Sequence, residues 1–255
     1  MKYRLILFFS LICLLILFWV TLPSKKVKVV FCDVGQGDAA LMIYKDWQML
    51  IDTGFTDKKV LTCLEKYMPF WDKKLELVMI THGDSDHIGG LVDVSKYYTV
   101  EQLVTSKNLQ QFDFIKTDWM SFEVVNPPSF VETTEGEKDN NQNSVAGVWT
   151  YFDIQKNKEM KIFMAADIDL EIEQRLVWQQ ILKNEVDILK VSHHGSKNGT
   201  SEELLNILQP EMAIISVGAK NRFGHPTKEV LDRLKARGIE IKRTDKEGDI
   251  ILLLE

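Results

Sequence analysis

Hydrophobic and polar positions follow two periodicities along the chain, one of strands and one of helices, which succeed each other in short segments. Residues 27–31, 39–44 and 48–51 are β-rich segments separated by Gly35-Gln36-Gly37 and by Lys45-Asp46, a pattern that predicts a strand meander. An amphipathic stretch over residues 57–67 predicts a helix. Residues 75–80 are almost continuously apolar, as expected for a strand buried on both faces. That strand runs directly into a cluster of His and Asp, which ends in Gly89-Gly90 and a short helical stretch. Residues 161–165, 187–191 and 213–217 are further apolar strands, each followed by polar residues able to line a site. Helices are predicted over residues 170–182 and 201–208. The best-marked helix covers residues 226–237, with Pro226 in its first turn and Gly238 just past its end. Residues 133–143, rich in Glu, Lys and Asn, predict an exposed loop. This order of elements predicts an α/β chain with two sheets covered by helices.

The N-terminus stands apart. Residues 5–22 form an apolar run interrupted only by Ser10 and Thr21, close to the roughly 20 apolar residues a bilayer-spanning helix needs. Secretory signals have shorter apolar regions and a small-residue cleavage site, and no Ala-x-Ala pattern precedes Pro23 or Ser24. Residues 1–27 are therefore expected to be a membrane anchor, with a cleaved signal as the alternative. Lys2 and Arg4 precede the run while Lys25, Lys26 and Lys28 follow it, so charge does not set the orientation. A short basic stretch ahead of an apolar run resembles an export signal, and an extracytoplasmic domain is expected, or a secreted one if the segment is removed. Residues 28–255 read as one domain, because no Pro-, Gly- or Ser-rich linker divides them.

Composition adds three limits. With 255 residues, 45% of them apolar, the chain can bury one large core. Its 31 basic and 37 acidic residues give a net charge of -6, so any attraction for nucleic acid must be local. Of three cysteines, Cys13 lies in the apolar run, and Cys32 and Cys63 imply no disulfide framework. Each of those two reads as a small buried hydrophobe in preference to one half of a bridge.

All five histidines fall into three short groups: His82 with His87, His193 with His194, and His225. The segment Thr81-His82-Gly83-Asp84-Ser85-Asp86-His87 places two imidazoles and two carboxylates in one tight turn. Without a cation Asp84 and Asp86 would repel each other by on the order of a kcal/mol. The competing explanation is a helix N-terminus capped by Asp86.

His82-x-Asp84-x-Asp86-His87 resembles the His-x-His-x-Asp-His signature of the metallo-β-lactamase superfamily, with aspartate at the second histidine. That variant, together with Asp33-Val34-Gly35-Gln36-Gly37-Asp38 and Ile51-Asp52-Thr53-Gly54, is similar to the nuclease-like domain of ComEC competence proteins. The similarity continues through Phe163-Met164-Ala165-Ala166-Asp167-Ile168, Val191-Ser192-His193-His194-Gly195-Ser196 and Asn221-Arg222-Phe223-Gly224-His225-Pro226. ComEC is a larger membrane protein with channel helices and a small β-barrel domain. This sequence reads as one apolar segment and the hydrolase domain, so the resemblance is carried over for the chemistry and not for DNA conduction.

The resemblance implies a four-layer αββα sandwich and two divalent metal ions bridged by Asp167, with a hydroxide shared between them. His82 and Asp84 would hold the first ion, and Asp86, His87 and His194 the second. In other branches a further histidine completes the first shell. None lies between His87 and His193 here, and Asn143-Ser144 occupies the corresponding region. Oxygen-rich ligation shifts preference from zinc toward manganese or magnesium. Manganese is expected for activity, with zinc able to occupy the site.

Asp86, His193 and His225 are the candidate catalytic residues, His225 as proton donor to the leaving oxygen or, alternatively, as a structural cap of the following helix. His193 has the alternative of orienting a ligand. Asn143, Ser144 and Ser196 are expected to contact substrate. The leading expectation is a nuclease or phosphodiesterase acting on DNA outside the cytoplasm. The alternatives are a hydrolase of another ester or amide, such as a phosphorylcholine ester, lactone or β-lactam, and a non-catalytic metal-binding module that holds DNA. Arg222-Phe223 favours nucleic acid if it lies at the mouth of the site.

Overall fold

The computed structural model describes Tyr3 and residues 7–12, 26–128, 141–153 and 156–254. Strands β1 (Val27–Phe31), β2 (Ala40–Tyr44) and β3 (Trp47–Ile51) form the expected antiparallel meander. Helix α1 (Lys59–Tyr67) follows, and β4 (Lys74–Ile80) and β5 (Thr99–Thr105) then add in parallel to β3. Strand β13 (Ile250–Leu254) pairs antiparallel with β1 and closes a six-stranded sheet in the order β13-β1-β2-β3-β4-β5. The second sheet has seven strands. It combines β6 (Phe114–Lys116), β7 (Met120–Asn126), β8 (Ala146–Asp153) and β9 (Lys158–Met164), all antiparallel, with β10 (Ile188–Lys190), β11 (Met212–Ile215) and β12 (Glu240–Arg243), which are parallel to β9.

Strand alternation divides the apolar residues between layers. Val27, Val29 and Phe31 of β1 meet Phe122, Trp149, Ile162 and Ile214 between the sheets. Val30 of the same strand points the other way, into a layer with Val60, Leu61 and Leu64 of α1 and Val94 of α3 (Leu91–Tyr97). On the far side of the second sheet, Phe163, Leu189, Ala213 and Ile215 are covered by α4 (Leu170–Trp178), α5 (Glu202–Leu208) and α6 (Lys228–Ala236). Helices thus lie on both outer faces and two sheets lie between them. Helix α6 starts two residues later than expected, with Thr227 as its N-cap and Pro226 outside it.

Two expectations change. Cys32 and Cys63 are buried as expected but are bonded to each other, tying the end of β1 to α1 with Cα atoms 5.9 Å apart. Their separate hydrophobic patterns gave no sign that α1 crosses the sheet at the end of β1. Of the N-terminal apolar run, residues 7–12 are helical, and the remainder lies outside the described residues. Among the described residues no helix is long and apolar enough to cross a membrane. Residues 129–140 of the expected loop region also lie outside the described residues, while 141–143 form a turn.

The disulfide closes a loop of 31 residues, for which chain-entropy arguments give a stabilisation of roughly 2–4 kcal/mol. Replacing both cysteines by Ser is therefore expected to lower the denaturation midpoint, and reductant should lower that of the parent protein but not of the variant. Equal midpoints for parent and variant under oxidising conditions would show that the bond contributes nothing.

Candidate metal centre

The site lies at the carboxyl ends of parallel strands, where open sheets present residues to a ligand. Strand β3 leads to Asp52, β4 to His82, β9 to Asp167, β10 to His193 and His194, and β11 to Ser216. The His82 loop turns into the short helix α2 (Ser85–Ile88), whose N-cap is Asp84. No side chain caps that helix, so capping does not account for Asp84 and Asp86.

Asp167, 3% exposed, is the meeting point. Its Oδ1 is 3.3 Å from His87 Nε2, and its Oδ2 is 3.7 Å from His193 Nε2, 3.7 Å from His194 Nε2 and 3.9 Å from His82 Nε2. His194 Nε2 lies 3.4 Å from Asp86 Oδ2, and His82 Nε2 lies 3.6 Å from Asp84 Oδ2. Among the described residues four overlapping groups could hold an ion: His82 with His87 and Asp167, Asp86 with His87 and His194, Asp38 with Asp52 and His87, and Asp38 with Asp167 and His194. Each has its donor atoms within 4.8 Å of one another.

The Nε2 atoms of His82, His87 and His194 and Oδ1 of Asp167 are buried and lack a hydrogen-bond partner. Buried polar atoms are normally satisfied, because an unsatisfied one costs about 1–3 kcal/mol. Imidazole nitrogens and carboxylate oxygens converging on one another are the donor set of a divalent transition metal, so the residues present fit such an ion.

The opposite edge of each imidazole is held from behind, as in metal sites generally. Asp52 Oδ2 lies 2.8 Å from His87 Nδ1 and also accepts from Thr81 Oγ1, while Asp52 Oδ1 accepts from the Thr81 amide. Ser144 Oγ is 3.1 Å from His82 Nδ1 and accepts from the Asp167 amide at 3.4 Å. His194 Nδ1 donates to the Ser216 carbonyl. Asp38, 3.6 Å from His194 Nδ1, accepts a hydrogen bond from Lys190 Nζ at 2.8 Å.

These contacts set the charges. Burial opposes charge on His87, but Asp167 and Asp52 overcome it and hold its pKa well above the ordinary value. Burial, with His87 adding to it, pushes His82 down. Burial would raise Asp167, yet His87 and His194 keep it ionised well below the usual carboxylate range. For Asp38 the same opposition is won by Lys190.

The backbone around His194 is unusual. His193 and His194 both have positive φ, 47° and 55°, a conformation that costs non-glycine residues of order 1–3 kcal/mol each. Buried Glu173 of α4 fixes the turn, accepting from Ser192 Oγ and the Thr200 amide at Oε1 and from the Ser201 amide at Oε2. Gly195 is required next, since a Cβ there would lie 2.5 Å from Pro226 Cβ. Gly37 serves the other loop in the same way, a Cβ there falling 2.2 Å from the Asp86 carbonyl oxygen.

The structure thus brings His82, Asp84, Asp86, His87, Asp167, His193 and His194 together. His225 stands farther out, its ring 5.9 Å from that of His193. Ser144 is fully buried behind His82, which turns its hydroxyl away from anything bound at Nε2 and makes it an orienting group instead of a substrate contact. Asn143 is half-buried in the adjoining turn. Ser196 is buried, and its hydroxyl accepts from the Asn198 amide within its own loop. The residue-by-residue expectation omitted Asp38, Asp52, Glu173 and Lys190. Signals for three existed: Asp38 and Asp52 lie in short Gly-containing motifs after strands, and Lys190 is a lone cation in an apolar strand. Glu173 is one of several acidic residues in an amphipathic helix and carried none.

The metallo-beta-lactamase superfamily model matches residues 32–135. ComE operon protein 3 of Bacillus subtilis is 30% identical over 89% of this chain and 33% of its own length. Recombination protein 2 of Haemophilus influenzae is 29% identical over 94% of this chain and 30% of its own length. The chain therefore spans about a third of the length of these curated relatives. Among solved structures, the metallo-beta-lactamase fold protein YhfI of Bacillus subtilis superposes with a TM-score of 0.58 at 12% identity, over 90% of this chain and all of that one. The chain carries a metallo-β-lactamase superfamily domain, similar in sequence to part of the ComEC-type competence proteins.

Proposed function

We propose that this domain is a metal-dependent phosphodiesterase acting on DNA, and that the observation carrying this reading is the set of unpaired, buried Nε2 atoms of His82, His87 and His194 around Asp167. Divalent ions held there, manganese foremost, would acidify water to a pKa of about 7 and neutralise oxygens of the electrophile. Asp86, His87 and His194 form one ligand set, His82 and Asp84 the start of the other, and Asp167 lies between them.

Two further imidazoles favour phosphate over a neutral carbonyl. The side chain of His193 is 30% exposed, against 2% or less for His82, His87 and His194, so a substrate can reach it. His193 and half-buried His225 then donate to phosphate oxygens as negative charge grows there. Burial, His193 and His194 push the pKa of His225 down. When protonated it is a strong acid beside the leaving oxygen.

The relatives' names, among them a recombination protein and a competence protein, support DNA as the polymer. The Cys32–Cys63 bond supports an oxidising compartment, in line with an extracytoplasmic domain tethered through residues 5–22.

After chelation, add-back of manganese, zinc or magnesium is expected to restore hydrolysis of bis-p-nitrophenyl phosphate and of labelled single-stranded DNA. Failure of all three ions on both substrates would remove the reading. Asp52→Asn, which loosens His87 from behind, is expected to weaken manganese affinity roughly 10–100-fold with the circular dichroism spectrum retained. An unchanged affinity would show that Asp52 does not position the ligand.

Metal uptake should also depend on pH in a direction fixed by His87. With its pKa held well above the ordinary value by Asp167 and Asp52, this imidazole holds its proton more tightly than a free one before an ion binds. Nε2 must lose that proton to coordinate. Affinity should therefore rise with pH through and beyond the ordinary histidine range, with net proton release in calorimetric titrations run in buffers of different ionisation enthalpy. An affinity flat between about pH 6 and 8 would contradict the assignment.

A further inference from the structure

We propose that Phe223 is a nucleobase-stacking platform at the rim of the site, so that the substrate is a single-stranded polynucleotide with one base seated beside the cleaved phosphate. This rests on the phosphodiesterase reading and names its substrate class. The chain between β11 and α6 rises next to the metal centre, and its aromatic groups lead outward from it. From His193, 3.7 Å from Asp167, the next ring is His225 at 5.9 Å, and then Phe223, whose ring lies 5.8 Å from that of His225 with 27° between the planes. Phe223 is 55% exposed, so the ring is covered on the His225 side and still reaches solvent.

The segment is held rigidly. Asn221 Oδ1 accepts from the amides of Phe223 and His225, and its Nδ2 donates to the carbonyls of Gly218 and His225. Four hydrogen bonds of its own loop hold the backbone that carries the ring, which lowers the ordering cost of receiving a flat partner. Every base offers such a face, but only in a single strand is it free to leave its neighbours. Arg222 defines the partner further, with Cζ 5.5 Å from the Phe223 ring. A cation at that position attracts the flanking phosphates of a polynucleotide, which matters on a chain of net charge -6. It also repels a quaternary ammonium, the other ligand class an exposed aromatic ring would take.

The test compares the full metal-loaded chain with Phe223→Ala and Phe223→Trp on oligothymidylate, on an oligonucleotide of the same length with abasic sites, and on a p-nitrophenyl ester of phosphorylcholine. The wild type is expected to prefer the base-containing strand about tenfold or more in kcat/KM, the size of one base–aromatic stack. Phe223→Ala should erase that preference and Phe223→Trp keep it. In parallel, 2-aminopurine in a bound strand should lose fluorescence with the wild type and Phe223→Trp and keep it with Phe223→Ala. A preference surviving in Phe223→Ala, equal losses on both strands, or a loss confined to the phosphorylcholine ester would each overturn the proposal. Quenching by a wild type that cleaves no strand would overturn the phosphodiesterase reading and leave the platform standing. Cleavage without quenching would do the reverse.

Discussion

Burying an ionised carboxylate costs several kcal/mol unless charge and hydrogen bonds compensate it, and Asp167 is buried with four imidazoles within 4 Å. The local structure answers that constraint. The segments that follow β4 and β10, one from each sheet, must converge for the four rings to reach one carboxylate, and each ring must present Nε2 inward. The inward edge is set by what holds the outer one: Asp52 on His87, Ser144 on His82 and the Ser216 carbonyl on His194. With Nδ1 engaged, the Nε2 atoms are left facing one another without partners.

Such an arrangement is unfavourable by itself, and the surrounding protein offsets the cost. Asp38 and Lys190 form a buried pair behind His194, and Glu173 holds the His193–His194 turn in its positive-φ conformation. Removing one member of such a network leaves the others buried and uncompensated. In the metal-free site Asp167 and Asp52 favour the charged form of His87, and on the proposed reading a divalent ion would take over that role. Stability, metal affinity and pH dependence are therefore aspects of one charge balance. His193 also reaches Asp167 through Nε2, but unlike His82, His87 and His194 its side chain is partly open to solvent, as is that of His225 farther out.

Much of this arrangement was legible in the chain. The strand entering His82 was readable because burial on both faces forces a continuous apolar run, and the histidine groups were readable because imidazoles seldom cluster by chance. Helix α6 was readable from Gly238, although Pro226 proved to lie before the cap, where it packs on Gly195. Strands β5 to β8 left weaker marks: β5 is largely exposed, β6 is three residues long, and β7 carries a break in register near Val124. The Cys32–Cys63 bond depends on how α1 crosses the sheet, a tertiary fact with no local signature. Ser144 was placed in the right region but on the wrong side of His82, since sequence order gives no information on which ring nitrogen a hydroxyl meets. Lys190 and Asp38 lie 152 residues apart, so neither announces the other.

The most direct test of the central claim is the anomalous scattering of manganese in crystals of the metal-loaded protein. The account predicts peaks beside Asp167, with His87 and His194 Nε2 at coordination distance, about 2.0–2.2 Å. Metal bound elsewhere, or a cluster that stays metal-free while His87 keeps its proton at alkaline pH, would contradict it.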